Sequence, residues 1–274
     1  MALPIGVQVY SIRDDAEQDF AGTMRKVKEM GYDGVELAGL YGHAPEYIKG
    51  VLDAVGLVPI SAHVPLVDMM ADAEQVASDY EKIGVKFIAV PYLPAEYRHL
   101  TPGYETVISE IKRIAAVLKA HGITTLYHNH DFEFVTLPDG TFGLDDIYTQ
   151  IPADLLQTEL DTCWVNVAGQ SPDGYVRKYT GRAPIVHLKD FYKEGKPKNL
   201  YKLIGITTEE EKEETGIFEF RPVGSGVQDW KAILDASVAA GAGWVVVEQD
   251  EPSMGLSRLD SIKKSIDYIK TINW

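Results

Sequence analysis

Short apolar runs alternate with stretches of helical period eight times along this 274-residue chain. No other feature narrows the fold as much. The spacing predicts strands over Ile5–Tyr10, Gly34–Leu37, Val58–His63, Phe87–Val90, Ile123–His128, Leu155–Asp161, Ile185–Leu188 and Trp244–Glu248. It predicts helices over Asp19–Met30, Pro45–Val55, Asp72–Ile83, Thr101–Ala120, Phe142–Ile151, Asp173–Tyr179, Asp229–Ala240 and Ser257–Thr271. In the fourth of these, Val107, Ile111, Ile114 and Leu118 recur at i, i+4, i+7 and i+11, a single apolar stripe of a 3.6-residue period. Glycines Gly31, Gly56, Gly84, Gly122 and Gly241 stand between a helical stretch and the next strand, where a left-handed residue ends a helix at little steric cost. Eight such units in this length suit a single (β/α)8 barrel over residues 1–274. An open doubly wound sheet is the competing arrangement. It often carries a glycine-rich phosphate loop after its first strand, whereas here that strand runs into "QVYSIRDDAEQ".

Side chains alternate across a strand, so each strand has a barrel-facing set and a helix-facing set. In the sixth, Leu156, Thr158 and Leu160 suit the helices, leaving Gln157, Glu159 and Asp161 for the axis. The same parity turns Ile185, His187 and Lys189 inward from the seventh strand, and Val246 and Glu248 from the eighth. From the fifth it turns in Leu126, His128 and His130, and from the first half Gln8, Glu36 and His63. The polar members gather at the C-terminal strand ends, the face on which barrels carry their active sites. One polar residue there is an ordinary barrel cap. His128, Asp161, His187 and Glu248, ending four successive strands, converge on one point. Two imidazoles and two carboxylates suit a borderline divalent cation such as Zn²⁺, Mn²⁺ or Co²⁺, with Mg²⁺ a further candidate. A site of hydrogen-bonded acids and bases alone is less favoured, because adjacent buried carboxylates repel.

The bulk composition excludes some roles. Twenty-six basic against 41 acidic residues give a net charge of −15, which argues against nucleic acid and anionic membrane surfaces as partners. A small carbohydrate remains the expected partner, with homodimerisation open. The lone cysteine, Cys163, fits a reducing compartment. "MALPIGVQVYSIRDD" has neither the basic start nor the apolar length of a signal peptide, and no stretch approaches a membrane span. Together these suggest a cytoplasmic protein. The connection over about 191–229 is unusually long, with an acid-rich centre, "TTEEEKEETG". Long connections on this face are often lids or interface arms.

"YHNHDFEF", "ELDTCWVNVAG", "VHLKD", "VGSGVQDW" and "VVVEQD" resemble the xylose isomerase-like barrel superfamily of sugar-phosphate isomerases and epimerases. The superfamily also includes inosose dehydratase and the endonuclease IV type of repair enzyme. The resemblance runs from "QVYSIR" and "YDGVEL" to "VEQD". It implies a divalent-metal site of Glu, Asp, His and Glu on strands five to eight. Here Asp161, His187 and Glu248 match three of them, while the strand-five position is His128. Either His128 is the fourth ligand or Glu159 supplies a carboxylate from deeper in strand six. His128 is preferred because it ends its strand.

The chemistry so implied is metal-assisted enolisation of a keto sugar, sugar phosphate or polyol. A carbonyl polarised by the metal acidifies its α-hydrogen, and Glu248 or a histidine, His128 or His130, removes it. Proton return gives isomerisation or epimerisation; loss of a β-substituent gives a dehydratase or lyase. A non-catalytic sugar-binding barrel is the distant alternative. Lys189 is a candidate for steadying the enolate, and Glu36, His63, Trp164 and Tyr92 for touching substrate. Asn129, of opposite parity, is expected to fix its loop. Asp131 and Glu133 are candidates for setting histidine tautomers.

Overall fold

A computed structural model describes residues 2–196, 200–205 and 215–274. The barrel strands are β1 (Ile5–Gln8), β2 (Gly34–Ala38), β3 (Val58–His63), β4 (Phe87–Val90), β5 (Thr124–His128), β6 (Leu156–Asp161), β7 (Ile185–Leu188) and, after an arm, β10 (Trp244–Val247). All pair in parallel with their neighbours, and β1 closes the ring between β2 and β10. The arm contributes β8 (Asp190–Lys196) and β9 (Thr215–Arg221), an antiparallel ribbon. Of the acid-rich run expected at its centre, residues 207–214 lie outside the described residues, and Thr215 and Gly216 begin β9.

The helices are α1 (Arg13–Gln18), α2 (Phe20–Met30), α3 (Pro45–Val55), α4 (Leu66–Ala71), α5 (Ala73–Ile83), α6 (Tyr104–Ala120), α7 (Gly143–Gln150), α8 (Thr162–Val167), α9 (Pro172–Lys178), α10 (Trp230–Ala239) and α11 (Arg258–Ile269). Local chemistry sets their ends. Asp19, Asp72, Asp229 and Ser257 each accept a backbone N–H of the first turn. Gly31, Gly56 and Gly84 close α2, α3 and α5 at φ of 96°, 75° and 93°. The α6 stripe Val107, Ile111, Ile114 and Leu118 is fully buried. Each such side chain contributes roughly 1.5–3 kcal/mol relative to leaving it in water. The first expected strand is shorter than its apolar run. Gln8 accepts from the Tyr10 amide and turns the chain into a 3-10 turn, Val9–Ile12.

The barrel interior is layered as the alternation predicts. Ile60, Ala89, Leu126, Ile185 and Val246 pack together as an apolar plug. Two positions after the plug residues of β5, β7 and β10, the polar residues His128, His187 and Glu248 stand above it. The apolar outward set packs instead with the helices in the main core.

One buried carboxylate folds the return from the arm. Asp190 accepts from the amides of Phe191, Gly224, Gly226 and Gln228 and from the Trp230 indole, at 2.9–3.3 Å. This accounts for "VGSGVQDW": a Cβ on Gly226 would stand 2.2 Å from Asp190 Oδ1 and 2.3 Å from the Phe191 carbonyl. Asp190→Ala would leave these donors without their acceptor, at a cost of about 3 kcal/mol or more. Urea unfolding should show a lower midpoint at unchanged slope. A wild-type midpoint would mean that water replaces the carboxylate.

Candidate active site

The strand ends bring His63, His128, His187, Glu36, Glu159, Asp161 and Glu248 into one knot. All are buried except His63, which is partly open. Two overlapping groups of donors stand within 4.8 Å of one another: His128, Asp161, His187 and Glu248 at the mouth, and His63, His128, Glu159 and His187 below. The mouth group is the set the parity predicted. His128 and His187 belong to both groups, each imidazole facing the two layers with different nitrogens. His128 Nε2 is 3.6 Å from Asp161 Oδ2, while its Nδ1 is 3.2 Å from Glu159 Oε2. His187 Nδ1 is 3.1 Å from Glu248 Oε2, while its Nε2 is 2.8 Å from Glu36 Oε1.

Glu159 and Glu36 therefore sit behind the mouth histidines and orient their rings, the arrangement that buried carboxylates adopt behind metal-ligating imidazoles. Glu36 was expected to touch substrate. It is instead fully buried under His187, held by Gln8 at 2.7 Å and by Ser61. Asp131 and Glu133, expected to set histidine tautomers, touch no imidazole nitrogen. Glu133 accepts from the Tyr127 hydroxyl and the His130 amide, and Asp131 from Tyr201. Asn129 does fix its loop, clamping the backbone of Asp161 through both ends of its amide.

Asp161 is oriented by the start of α8. Its Oδ1 accepts from the Cys163 and Trp164 amides, and its Oδ2 is buried without a hydrogen-bond partner. Lys189, 1% exposed, reaches Asp250 at 2.5 Å, Glu248 at 3.1 Å and Asp161 at 3.6 Å. Asp250 was not singled out from sequence, although its parity with Glu248 carried the signal. Trp164, expected at the substrate, is fully buried. It backs His130, with ring centres 5.1 Å apart, and stacks under Tyr201.

The charges do not balance among these groups alone. Glu36, Glu159, Asp161, Glu248 and Asp250 are five buried carboxylates against three positive groups, Lys189 and the imidazoles of His63 and His187, which, against burial, Glu36 and Glu159 push up. Burial, reinforced by Glu248 against Lys189, pushes Asp161 up from the usual carboxylate range. Burial opposes charge on His63, yet Glu36 and Glu159 push it up to about 10. Burial holds His128 down to about 3 and holds His130 well below the usual imidazole range, so both are neutral. Excess negative charge, an unpartnered Asp161 oxygen and a neutral His128 together make the mouth set a fitting seat for a divalent cation.

Above the knot opens a cavity of ≈ 510 Å³. His63, His128, His130, Lys189, Glu248 and Asp250 face it from the barrel. Tyr92 lines one wall, in contact with His130 edge to face.

The profile of the xylose isomerase-like TIM barrel matches residues 24–272. The chain belongs to that family. Within it, a sugar phosphate isomerase/epimerase from Parabacteroides distasonis superposes with a TM-score of 0.78 at 19% identity, covering 98% of this chain and 94% of that one. A probable 3-DHS dehydratase from Bacillus anthracis superposes with a TM-score of 0.74 at 14% identity, covering 99% and 100%. An inosose dehydratase of Mesomycoplasma hyopneumoniae strain 7448 is 24% identical over 180 residues, 62% of this chain and 55% of that protein. The match thus spans about half the length of that curated relative. These relatives of the xylose isomerase-like barrel include both isomerase/epimerase and dehydratase types. Among the described residues, no helix is long and apolar enough to cross a membrane.

The buried imidazole of His63 makes a pH prediction. Its folded value of about 10 lies above its ordinary 6.5. Its contribution to stability is therefore full below pH 6.5 and disappears as pH rises toward 10. In chelator-treated protein, His63→Asn should flatten the fall of unfolding free energy across that window, read by urea titrations at stepped pH. An unchanged fall would mean that His63 is folded neutral.

Proposed function

We propose that the chain is a divalent-metal-dependent isomerase or epimerase of a keto sugar, sugar phosphate or polyol, working through an enediolate. Supporting this is the convergence of His128, Asp161, His187 and Glu248, with an unpartnered Asp161 oxygen, at the floor of an open cavity. A cation bound by these four supplies Lewis-acid polarisation of a carbonyl. Zn²⁺, Mn²⁺ and Co²⁺ fit the mixed nitrogen and oxygen donors better than Mg²⁺.

The chain's own residues handle the proton. His130 lines the cavity, and its Nδ1 is buried without a partner. Its backbone is pinned by Glu133, and its ring is stacked on Phe132. A neutral imidazole at the cavity wall, with no carboxylate among the described residues hydrogen-bonded to its ring, suits His130 to be the base that takes the α-hydrogen. Glu248 already accepts from His187 and Lys189 through Oε2; it is the second proton-handling group. Lys189 places a positive charge beside the developing oxyanion.

One observation favours a lyase as the second reading. The relatives' strand-five carboxylate is His128 here, and both of its nitrogens face carboxylates of the knot. That leaves fewer acid–base groups for opposite faces of a sugar. A single group such as His130 can take the α-proton and return it to a departing β-substituent.

Metal content and turnover of variants, measured separately, test the proposal. Asp161→Ala and His187→Ala should each lose bound metal by elemental analysis. His128→Ala should empty the site while Glu159→Gln keeps it filled; the reverse result would make Glu159 the ligand. His130→Gln should keep its metal and lose roughly 10²–10⁴-fold in kcat. In D₂O, proton NMR should show solvent deuterium in a rearranged sugar; a dehydrated, conjugated ketone would select the lyase. Retained turnover in His130→Gln would move the base to Glu248.

A further inference from the structure

The cavity is much deeper than its polar floor. Its outer walls come from three segments: Pro65, Leu66 and Val67 at the start of α4, Pro91 and Pro94 after β4, and Ile204 of the arm. Tyr10 adds an aromatic face. Val67 is 55% exposed and Leu66 is buried against the core, so this lip presents apolar surface from root to rim, with Asp68 as its one charged member among the described residues. Exposed apolar surface gathered at the mouth of a polar site marks a place where an apolar group docks. The volume, ≈ 510 Å³, falls among cavities for drug-sized ligands, and a monosaccharide leaves much of it unfilled.

Electrostatics constrain the same space. Among the described residues, Lys189 is the only lysine or arginine lining the cavity. It is committed to Asp250, Glu248 and Asp161. The neighbouring arginines are committed too. Arg13 donates to the carbonyls of Tyr10 and Asp250 and pairs with Glu251. Arg98 donates to the Leu93 carbonyl and the Tyr92 hydroxyl and lies 3.6 Å from the centre of the Phe132 ring. Asp68 and Asp250 add negative charge to the lining. Among the described residues, no uncommitted lysine or arginine lines the outer cavity to receive a phosphate or carboxylate, and Asp68 and Asp250 repel one.

We propose that the substrate is an uncharged keto-glycoside: a sugar ring bearing a ring ketone on the polar floor, its anomeric carbon carrying an apolar aromatic group held by Leu66, Val67, Pro94 and Ile204. This rests on the sugar-enolising reading for the orientation of the ring, but its test does not depend on turnover. The ring's hydroxyls meet His63, Glu248 and Asp250, while the aglycone replaces water along the lip.

Calorimetric titration of the metal-loaded full chain tests this with nitrophenyl glycosides, methyl glycosides, free sugars and sugar phosphates, the unoxidised glycosides serving as analogues that bind without reacting. The panel takes the gluco, galacto and xylo series in both anomers. For at least one series, the nitrophenyl glycoside should bind about tenfold or more tightly than its methyl counterpart. The sugar phosphates should bind more weakly than the free sugars. The Val67→Asn variant, at a 55% exposed position, should lose much of the nitrophenyl advantage with methyl glycoside affinity and melting temperature unchanged, and adding Ile204→Asn should remove more of it. Equal affinity of nitrophenyl and methyl glycosides throughout, tighter binding of a phosphate or a disaccharide, or no binding by any of the panel would overturn the proposal. Turnover of free keto sugars without an aryl preference would leave the enolising reading standing and remove this one. An aryl preference without metal-dependent turnover would do the reverse.

Discussion

Two imidazoles held between two layers of carboxylate organise this barrel. His128 and His187 face Asp161 and Glu248 at the mouth and Glu159 and Glu36 below. So many buried charges at close range are costly unless each finds an opposite charge or a hydrogen bond. The lower layer is offset from within by His63, which bridges Glu159 and Glu36 at 2.5 and 3.1 Å. The upper layer has Lys189 and the start of α8, and it still leaves an Asp161 oxygen unpartnered. The residual imbalance lies at the surface of the cavity, where an incoming cation and substrate can meet it.

The surrounding structure keeps water and slack away from that knot. Below it the plug of Ile60, Ala89, Leu126, Ile185 and Val246 seals the barrel. Beside it Trp164, Phe191 and Phe220 pack as a separate apolar cluster under the arm. Lys189 lies over the Trp164 and Phe220 rings at 5.5 and 4.8 Å, which suits a cation in a dry setting. The arm enters this scheme through Tyr201, which stacks on Trp164 and donates to Asp131. Its return is fixed by the Asp190 carboxylate. The long connection is therefore anchored on both sides of its acid-rich centre.

Much of the architecture was legible because it is written in local periods. Eight strands and their helices follow from apolar spacing and turn residues, and most ends agree within one or two positions. The exception at β1 has a local cause, the Gln8 side chain diverting its own backbone. The mouth residues were legible for the same reason, since strand alternation assigns a face without knowledge of the neighbours. Roles that depend on contact across the barrel were not legible. Glu36 and Trp164 looked like substrate contacts but are buried supports, and Asp131 and Glu133 brace a loop and a tyrosine instead of imidazoles. Asp190 carried no period to reveal it, because its partners lie more than thirty positions away.

The sequence by itself determined the family, the strand order and which side chains face the axis, because each depends on alternation or on motifs within a few residues. Tertiary structure alone decided the depth at which each inward group stands. Strands in a barrel are tilted and staggered, so two residues of the same parity can meet or miss by a layer. In this barrel His128 is level with Glu159, and Asp161 with His187. An irregularity between Val35 and Glu36 sets Glu36 beside Ser61. That stagger makes Glu159 and Glu36 the carboxylates behind the histidines, and Asp161 and Glu248 the ones in front.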